Sequence, residues 1–168
     1  MDNILTLFKP IRHFIFDIDG VLTDGTLLIS AEGNLLRSMN IKDGYALQLA
    51  VKKGYRVSII SGAKGEEIEK RLRGLGITEI LLGIEDKMQT FVDLVQRNHS
   101  EMSQILYMGD DMPDLMVMQQ VSLPCCPSDA CHQIKIISKY ISTAEGGKGC
   151  VRDVIEKVLT LNGHWNSL

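Results

Sequence analysis

The sequence predicts an α/β fold, a Rossmann-like, doubly wound and mainly parallel sheet with a β-hairpin inserted near its start. Short apolar runs alternate with helical patterns of about 10–15 residues, as in repeated strand–helix–strand units. The chain has 168 residues, of which 45% are apolar and 23% charged. These values fit one globular domain over residues 1–168 and exclude a disordered or fibrous chain.

The first predicted elements are a buried strand and a hairpin. His13–Phe16 is a short apolar run that stops at Asp17, which is typical of a strand covered on both faces. Two further runs, Thr26–Ile29 and Asn34–Met39, flank a polar turn that contains Gly33. We therefore predict a hairpin over about residues 24–40.

Helical and strand patterns then alternate to the end of the chain. Asp43–Lys53 has apolar side chains at helical spacing and stops before Gly54, a residue that commonly ends helices. The later predicted strands are Arg56–Ile60, Glu79–Leu82, Ile105–Met108, one near Val121–Leu123 and one near Lys139–Ile141. The later predicted helices are Gly65–Arg73, Lys87–Arg97, Met112–Gln119 and Val151–Leu161.

Charge and hydropathy argue against several classes of protein. Lys and Arg number 18 against 21 Asp and Glu, a net charge of −3 that suits nucleic acid poorly. No apolar run approaches the ~20 residues that a membrane-spanning helix needs. The N-terminus lacks the pattern of a signal peptide. We expect a cytoplasmic protein that binds neither nucleic acid nor membrane.

The cysteines do not follow a zinc-site pattern. Cys125, Cys126 and Cys131, with His132 beside the last, match none of the usual ligand spacings. Cys150 lies apart, in a glycine-rich segment. We expect reduced thiols that act as small apolar side chains in a reducing compartment, with a zinc site as the alternative.

Polar motifs follow the predicted strands and carry the candidate chemistry. They are Asp17-Ile18-Asp19-Gly20, Ser61-Gly62, Asp86-Lys87 and Gly109-Asp110-Asp111. Each motif alone is commonly a solvated loop. In an open parallel sheet, however, the carboxyl ends of the strands meet at one edge, where ligands bind. We therefore expect the four motifs to form one site.

Three carboxylates at such a site require a counter-charge. Asp17 and Asp19 are two residues apart and point the same way while the backbone is extended, and Asp110 would join them. Oxygen ligands with open coordination positions favour Mg²⁺. Ser61 would supply a hydroxyl and Lys87 a positive charge, which together suit phosphoryl transfer. One carboxylate can attack phosphorus while another protonates the leaving oxygen.

The motifs resemble, in order and in placement, those of the haloacid dehalogenase superfamily of phosphatases, over nearly the whole chain. The resemblance implies that Asp17 is the nucleophile and Asp19 the acid and base. It implies that Asp17, the backbone carbonyl of Asp19, and Asp110 hold Mg²⁺. Ser61 and Lys87 would bind the transferring phosphoryl group.

The same resemblance assigns two further aspartates to the surroundings of the site. Asp111 would contact the metal ligands rather than the ion itself. Asp114 would hold the metal-bound water or orient Lys87, with an ordinary aspartate on a helix surface as the alternative.

The gaps between the motifs leave no room for the cap domain that members of that superfamily usually carry. Residues 20–60 hold only the hairpin and one helix, and residues 62–86 only a helix and a strand. An uncovered site stays wet, which weakens its electrostatics, and self-association is one way to cover it. We expect the hairpin, with its leucines, to pack on a neighbouring subunit; the alternative is that it folds back on its own sheet.

A narrower resemblance is to the capless 3-deoxy-D-manno-octulosonate 8-phosphate (KDO 8-phosphate) phosphatases. Residues 39–45 and the glycine-rich residues 146–152 are similar to segments of that family. The resemblance implies hydrolysis of KDO 8-phosphate in lipopolysaccharide biosynthesis, by tetramers whose hairpins reach neighbouring sites. The implied substrate-binding residues are Asp19, Asn40, Ile41, Lys42, Asp43, Gly44, Arg71 and Lys87, and Lys148 is a further candidate cation.

Three positions depart from the pattern of those phosphatases. Ala63 and Gln48 stand where many relatives carry arginine, and Lys42 replaces another arginine. A lysine keeps the charge but loses the two-pronged geometry of a guanidinium. The identity of the sugar acid therefore stays open, with a KDN 9-phosphate-type substrate as the alternative.

Two other functional classes share parts of the pattern. A receiver-like signalling domain also combines aspartates, a hydroxyl residue and a lysine, but in a different order along the strands. A catalytically silent domain kept for assembly would have the same fold. Because this chain keeps each carboxylate and the lysine, the sequence favours an active phosphatase.

Overall fold

The structure, a computed structural model, describes residues 4–165. The strands are β1 (His13–Phe16), β2 (Leu28–Ile29), β3 (Leu35–Leu36), β4 (Arg56–Ile60), β5 (Glu79–Leu81), β6 (Ile105–Met108), β7 (Leu123–Cys126) and β8 (Tyr140–Ile141). The helices are α1 (Leu5–Phe8), α2 (Ile41–Lys52), α3 (Glu66–Gly74), α4 (Lys87–Asn98), α5 (Leu115–Met118), α6 (His132–Ile137) and α7 (Cys150–Leu161). Among these residues, no helix is long and apolar enough to cross a bilayer.

A six-stranded sheet forms the centre of the fold. Its order is β5-β4-β1-β6-β7-β8, and each neighbouring pair is parallel. From β1 the chain builds outward to β5 and then crosses back to begin β6 on the other side of β1. The strand order therefore reverses beside β1, which is where open sheets bind ligands. The predicted doubly wound, mainly parallel sheet is confirmed.

Apolar layers cover both faces of the sheet. Because side chains alternate along a strand, Phe14 and Phe16 point into a layer that contains Val154 of α7, whereas Ile15 points into a layer that contains Phe91 of α4. All four residues of β1 are buried, as the short apolar run predicts. Because β1 is packed on both faces, its carboxyl end is held in place, and so is Asp17, the residue that follows it.

The hairpin forms a separate two-stranded antiparallel sheet. Leu28 lies opposite Leu36 and Ile29 lies opposite Leu35. These four side chains are between 49% and 69% exposed, so the alternative in which they fold back on the central sheet is wrong. In the part of the chain that is described, only this hairpin and α2 separate β1 from β4, and no cap domain is present.

The structure corrects several predicted elements, most of them after β6. The strand expected near Val121–Leu123 lies at Leu123–Cys126. Pro124 does not end this strand, because its carbonyl still accepts a hydrogen bond, from the Lys139 amide at 2.9 Å. The helix expected from Met112 begins as a 3-10 turn. The helices α1 and α6 were not predicted, because each is short and buries a single side chain.

Candidate active site

The predicted motifs meet in one cleft at the carboxyl edge of the sheet. Strand β1 delivers Asp17, β4 delivers Ser61, and β6 delivers Asp110 two residues beyond its end. Lys87 is the first residue of α4. A cavity of about 410 Å³ is lined by these side chains together with Asp19, Asp111 and Asp114. The structure thus brings seven of the predicted site residues to one place.

Asp17 lies buried at the end of β1 with each carboxylate oxygen in a hydrogen bond. Oδ1 accepts from the Ile18 amide at 2.6 Å, and Oδ2 accepts from Lys87 Nζ at 2.7 Å. Burial and the nearby Asp114 raise the pKa of Asp17, and Lys87 opposes them. The carboxylate is therefore held in one orientation, facing the cleft.

Lys87 joins two carboxylates across the cleft. It follows Asp86, whose side chain caps α4 by accepting from the Gln89 amide. Nζ lies 2.7 Å from Asp17 Oδ2 and 2.7 Å from Asp114 Oδ1. Burial alone would lower the pKa of Lys87, but the two carboxylates more than offset it and raise that pKa. Lys87 therefore remains a positive charge inside the site.

Asp114 is a fully buried positioning residue, so the alternative of a surface aspartate is wrong. Its Oδ1 accepts from Lys87 Nζ and from the Tyr107 hydroxyl at 2.6 Å, and its Oδ2 accepts from the Asp110 amide at 3.2 Å. Tyr107 was not predicted as a site residue. A tyrosine inside an otherwise aliphatic strand is the signal that could have found it, because a buried hydroxyl needs a partner.

The carboxylates of the cleft fit a divalent cation. Asp17, Asp110 and Asp114 each offer an oxygen atom, and these atoms lie within 4.8 Å of one another. Burial, with Asp114 and Asp17 nearby, raises the pKa of Asp110 to about 7. A bound cation would balance this crowded negative charge, and an all-oxygen ligand set suits Mg²⁺. Asp114 is fully buried and accepts from three donors, Lys87, Tyr107 and the Asp110 amide. Asp17 and Asp110 keep some exposure to the cleft and are therefore the side chains that would hold the ion.

Glycines let the loop after β1 pack tightly against its neighbours. Gly20 has φ +82°, and a Cβ at that position would overlap the Asp110 carboxylate. A Cβ at Gly146 would overlap the Gly20 carbonyl, and the Gly147 amide donates to the Val21 carbonyl at 2.9 Å. The glycine-rich segment before α7 therefore supports the loop that carries Asp17 and Asp19.

Asp19 faces the hairpin rather than the other aspartates. Both of its carboxylate oxygens accept from the guanidinium of Arg37, at 2.6 Å from Nε and 3.0 Å from Nη2. Arg37 follows β3, so this ion pair ties the hairpin to the loop after β1. Sequence reasoning missed Arg37, because no motif or spacing relates position 37 to Asp19.

Most of the predicted substrate-binding residues lie away from the cleft. Asn40 caps α2 by accepting from the Lys42 amide at 2.8 Å, and it donates to the Gly147 carbonyl. Asp43 is buried, and its oxygens accept from the Gly149 and Arg152 amides at 3.2 and 2.7 Å. Asp43 therefore caps α7, and its role toward a substrate stays a prediction from the resemblance.

The other four of these residues divide between the surface and a second cavity. Ile41 and Lys42 are exposed, and Gly44 packs beside the Arg71 guanidinium. Arg71 and Arg37 line a cavity of about 650 Å³ between the hairpin and α3. Lys87 alone of the predicted substrate cations lines the cleft.

Neither the departures from the family pattern nor the cysteines add polar groups to the cleft. Ala63 lines it with a methyl group, and Gln48 accepts from Lys52 Nζ on α2. Cys125 and Cys126 are buried in β7 as free thiols. Over residues 4–165 the aspartates are the only group that could hold a metal, so the zinc alternative is wrong there.

Known proteins are similar to the chain over almost its full length, although no protein-family model matches it. The 3-deoxy-D-manno-octulosonate 8-phosphate phosphatase KdsC of Escherichia coli K12 is 33% identical over 161 residues, which cover 96% of this chain and 86% of the relative. The same enzyme of Yersinia pestis is 32% identical over 158 residues, 94% of this chain and 84% of the relative.

This chain belongs to the KDO 8-phosphate phosphatase family of the haloacid dehalogenase superfamily.

Solved structures of family members have the same fold. The Yersinia pestis phosphatase has a TM-score of 0.93 at 31% identity, covering 97% of this chain and 88% of that one. The Moraxella catarrhalis phosphatase, in complex with magnesium, phosphate and KDO, has a TM-score of 0.91 at 34% identity, covering 96% and 92%. Together with the acidic cluster, this likeness identifies Mg²⁺ as the cofactor of the family site in this chain.

Proposed function

We propose that this chain is a phosphatase that uses Mg²⁺ to hydrolyse KDO 8-phosphate to KDO and phosphate. The observation that carries the proposal is the buried Asp17 carboxylate, held by Lys87 beside Asp110 at the edge of the sheet. A fixed carboxylate, a buried ammonium and a metal-binding cluster are what phosphoryl transfer through an aspartyl-phosphate needs.

The reaction assigns a step to each side chain. An oxygen of Asp17 bonds to phosphorus while the bond from phosphorus to the sugar oxygen breaks, and Asp19 gives that oxygen its proton. A water then attacks phosphorus, Asp19 takes its proton, and phosphate leaves Asp17. The Ser61 hydroxyl, buried beside Asp17, and the Lys87 ammonium stabilise the charge on the phosphoryl oxygens. Asp17 and Asp110 would hold Mg²⁺, which would supply further positive charge to the transferring phosphoryl group.

A sugar acid fits the charges around the cleft. KDO 8-phosphate carries a phosphate at one end and a carboxylate at the other. Lys87 lies at the phosphoryl position, and Arg37 and Arg71 line the adjoining cavity. Because Ala63 and Gln48 lack the guanidinium groups of many relatives, a KDN 9-phosphate-type substrate remains the competing candidate.

We further propose that the protein is a homo-oligomer, a tetramer, in which each hairpin covers a neighbouring site. The exposed leucines and isoleucine of β2 and β3 support this, because apolar side chains on a small hairpin gain stability from a partner surface. A second copy of this chain is the proposed partner. The proposed location is the cytoplasm, in keeping with the free thiols of all four cysteines.

A panel of phosphate esters tests the function. We expect purified protein with Mg²⁺ to release phosphate from KDO 8-phosphate with a higher kcat/KM than from KDN 9-phosphate or simple hexose phosphates. A preference for KDN 9-phosphate would replace the substrate but keep the chemistry. Turnover that is insensitive to EDTA would contradict the mechanism, and no release from any ester would favour the non-catalytic interaction domain.

A further inference from the structure

The ion pair between Asp19 and Arg37 engages the carboxylate that the proposed reaction uses as acid and base. Arg37 Nε and Nη2 bond to the two Asp19 oxygens at 2.6 and 3.0 Å. The Arg37 side chain is 6% exposed, and its Nη1 lies 3.4 Å from the Leu35 carbonyl. The guanidinium is therefore fixed between the end of the hairpin and the loop after β1.

In this arrangement each Asp19 oxygen is already bonded to the Arg37 guanidinium, so Asp19 does not present a free oxygen to a leaving group. A carboxylate whose two oxygens both accept N–H bonds from a guanidinium acts only as an acceptor. The sugar oxygen that departs from phosphorus needs a proton, because an alkoxide is a poor leaving group. The pair between Asp19 and Arg37 must therefore open in each turnover of a sugar phosphate.

A cavity beside Arg37 offers a place for the anion that would open the pair. It has a volume of about 650 Å³ and lies between β3 and α3, with Lys64 and Arg71 on its wall. Neither of these two side chains has a hydrogen bond or ion pair among residues 4–165. Glu67 is the one acidic side chain among the lining residues, so positive charges exceed negative ones there.

We propose that Arg37 is a gating residue that selects substrates by their carboxylate. The substrate's carboxylate binds in this cavity and replaces Asp19 as the ion-pair partner of the Arg37 guanidinium. Asp19 is then free to hydrogen-bond to the leaving sugar oxygen. Phosphate esters without a carboxylate supply no new partner for Arg37, so the pair opens less often and they react more slowly. This inference rests on the proposed function and names the residue that gives it selectivity.

Two substrates and three variants test the gate. KDO 8-phosphate carries the carboxylate, and ribose 5-phosphate lacks it. For Arg37→Ala we expect kcat/KM to fall about 30-fold with KDO 8-phosphate, the loss typical of a charged, two-pronged hydrogen bond. With ribose 5-phosphate we expect kcat to rise about threefold, because the ion pair between Asp19 and Arg37 no longer has to open. The rates of Arg37→Lys should lie between those of the wild type and Arg37→Ala, because lysine keeps the charge but not the two-pronged geometry of the guanidinium.

Arg73→Ala is the matched control, since Arg73 pairs with Glu69 on the exposed face of α3 and lines neither cavity. Equal losses of Arg37→Ala on both substrates would show that Arg37 only holds Asp19 in place, and unchanged rates would show that it has no role. Either result overturns the gate. Wild-type turnover of KDO 8-phosphate tests the proposed function, whereas the variant-to-wild-type ratios test the gate, so the two fail separately.

Inhibition by free KDO adds a measurement that needs no turnover of KDO 8-phosphate. With ribose 5-phosphate as the reporter substrate, we expect the KDO inhibition constant to rise about 30-fold in Arg37→Ala and to stay at the wild-type value in Arg73→Ala. The same inhibition constant in Arg37→Ala and wild type would overturn the proposed contact between Arg37 and the carboxylate.

Discussion

Lys87 Nζ lies 2.7 Å from Oδ2 of Asp17, although 70 residues separate the two along the chain. The contact exists because α4 begins at Lys87 just beyond the edge at which β1 ends. It places a buried positive charge directly beside the proposed nucleophile. Asp114, on the other side of Lys87, prevents the ammonium from turning away.

Replacing the nucleophile should abolish turnover without unfolding the protein. Asp17→Asn keeps the shape of the side chain but cannot form the phosphoryl ester, so we expect the rate of phosphate release to fall by at least about 10⁴-fold. Asp93→Asn is the control, because Asp93 is exposed on α4 and its side chain, among residues 4–165, bonds only to Gln89. Substantial activity in Asp17→Asn, with Mg²⁺ present, would be incompatible with an aspartyl-phosphate.

Removing the Tyr107 hydroxyl should loosen the support of Lys87. In Tyr107→Phe, the fully buried Asp114 loses one of the two donors to its Oδ1, so we expect a loss of about 1–2 kcal/mol in the free energy of unfolding. We also expect kcat to fall about tenfold with little change in KM, because Lys87 acts on the reacting phosphoryl group. Urea unfolding and steady-state kinetics measure the two effects.

Tyr45→Phe is the matched control, because the Tyr45 ring is largely exposed and packs against Trp165 far from Lys87. If Tyr107→Phe changes only the stability and leaves kcat at the wild-type value, Tyr107 has no influence on the reacting group.

Mg²⁺ should stabilise the protein more strongly at higher pH. Without the ion, burial and its acidic neighbours raise the pKa of Asp110 from 3.8 to about 7. A raised pKa in the folded state stabilises the fold fully below about pH 3.8, and this contribution is lost as the pH rises through about 7. Protons compete with the metal, so we expect Mg²⁺ to raise Tm more at about pH 8 than at about pH 6.

Asp110→Asn is the control for this pH dependence, because it removes the titrating group. In that variant the Mg²⁺-induced change in Tm should become small at both pH values. A wild-type Tm shift that is the same at the two pH values would contradict the role of Asp110 as a ligand that must lose a proton.

A charge on the hairpin should break the oligomer. Ile29→Asp places a carboxylate in the apolar surface that we propose to pack on a second copy, so sedimentation should show smaller species and a lower kcat/KM. Ile136→Asp is the control, since Ile136 is 68% exposed on α6 and Ile29 is 69% exposed on β2. Deletion of residues 28–35 should act in the same direction as Ile29→Asp. An unchanged sedimenting mass in Ile29→Asp would remove the hairpin from the interface.

Asp43 should matter for stability through its contacts with α7. Asp43→Ala leaves the Gly149 and Arg152 amides without an acceptor at the start of that helix, so we expect a loss of about 2–3 kcal/mol in the free energy of unfolding. Chemical denaturation measures the effect, and Asp93→Ala serves as the exposed control. A wild-type unfolding free energy in Asp43→Ala would show that the cap does not stabilise α7.

The sequence was most informative where a local pattern decides the structure. The apolar run of β1 and the glycine after α2 predicted their elements closely, because burial and backbone conformation act over a few neighbouring residues. It was least informative where a proline lies inside an element or where an element buries few side chains. The strand β7 was misplaced because a proline inside a strand resembles a boundary, and α6 was missed because it buries only Ile134.

The same division holds for the site. The motifs at the ends of β1 and β6 identified the carboxylates, and the motif at the end of β4 identified the hydroxyl of Ser61, because parallel strands must end at one edge. The partners of those carboxylates could not be read from spacing. Tyr107 beside Asp114, and Arg37 beside Asp19, depend on which side chain another segment brings within about 3 Å, and no local pattern encodes that.

By itself, the sequence determined the α/β class, the order of the main elements, and the chemistry of the residues that follow the strands. It could do so because periodic burial and residue type are local properties. Only the tertiary structure decided that Asp43 caps α7 and that Asp19 is paired with Arg37. Those contacts join distant segments, and hydrogen bonds and charges act over distances in space rather than along the chain.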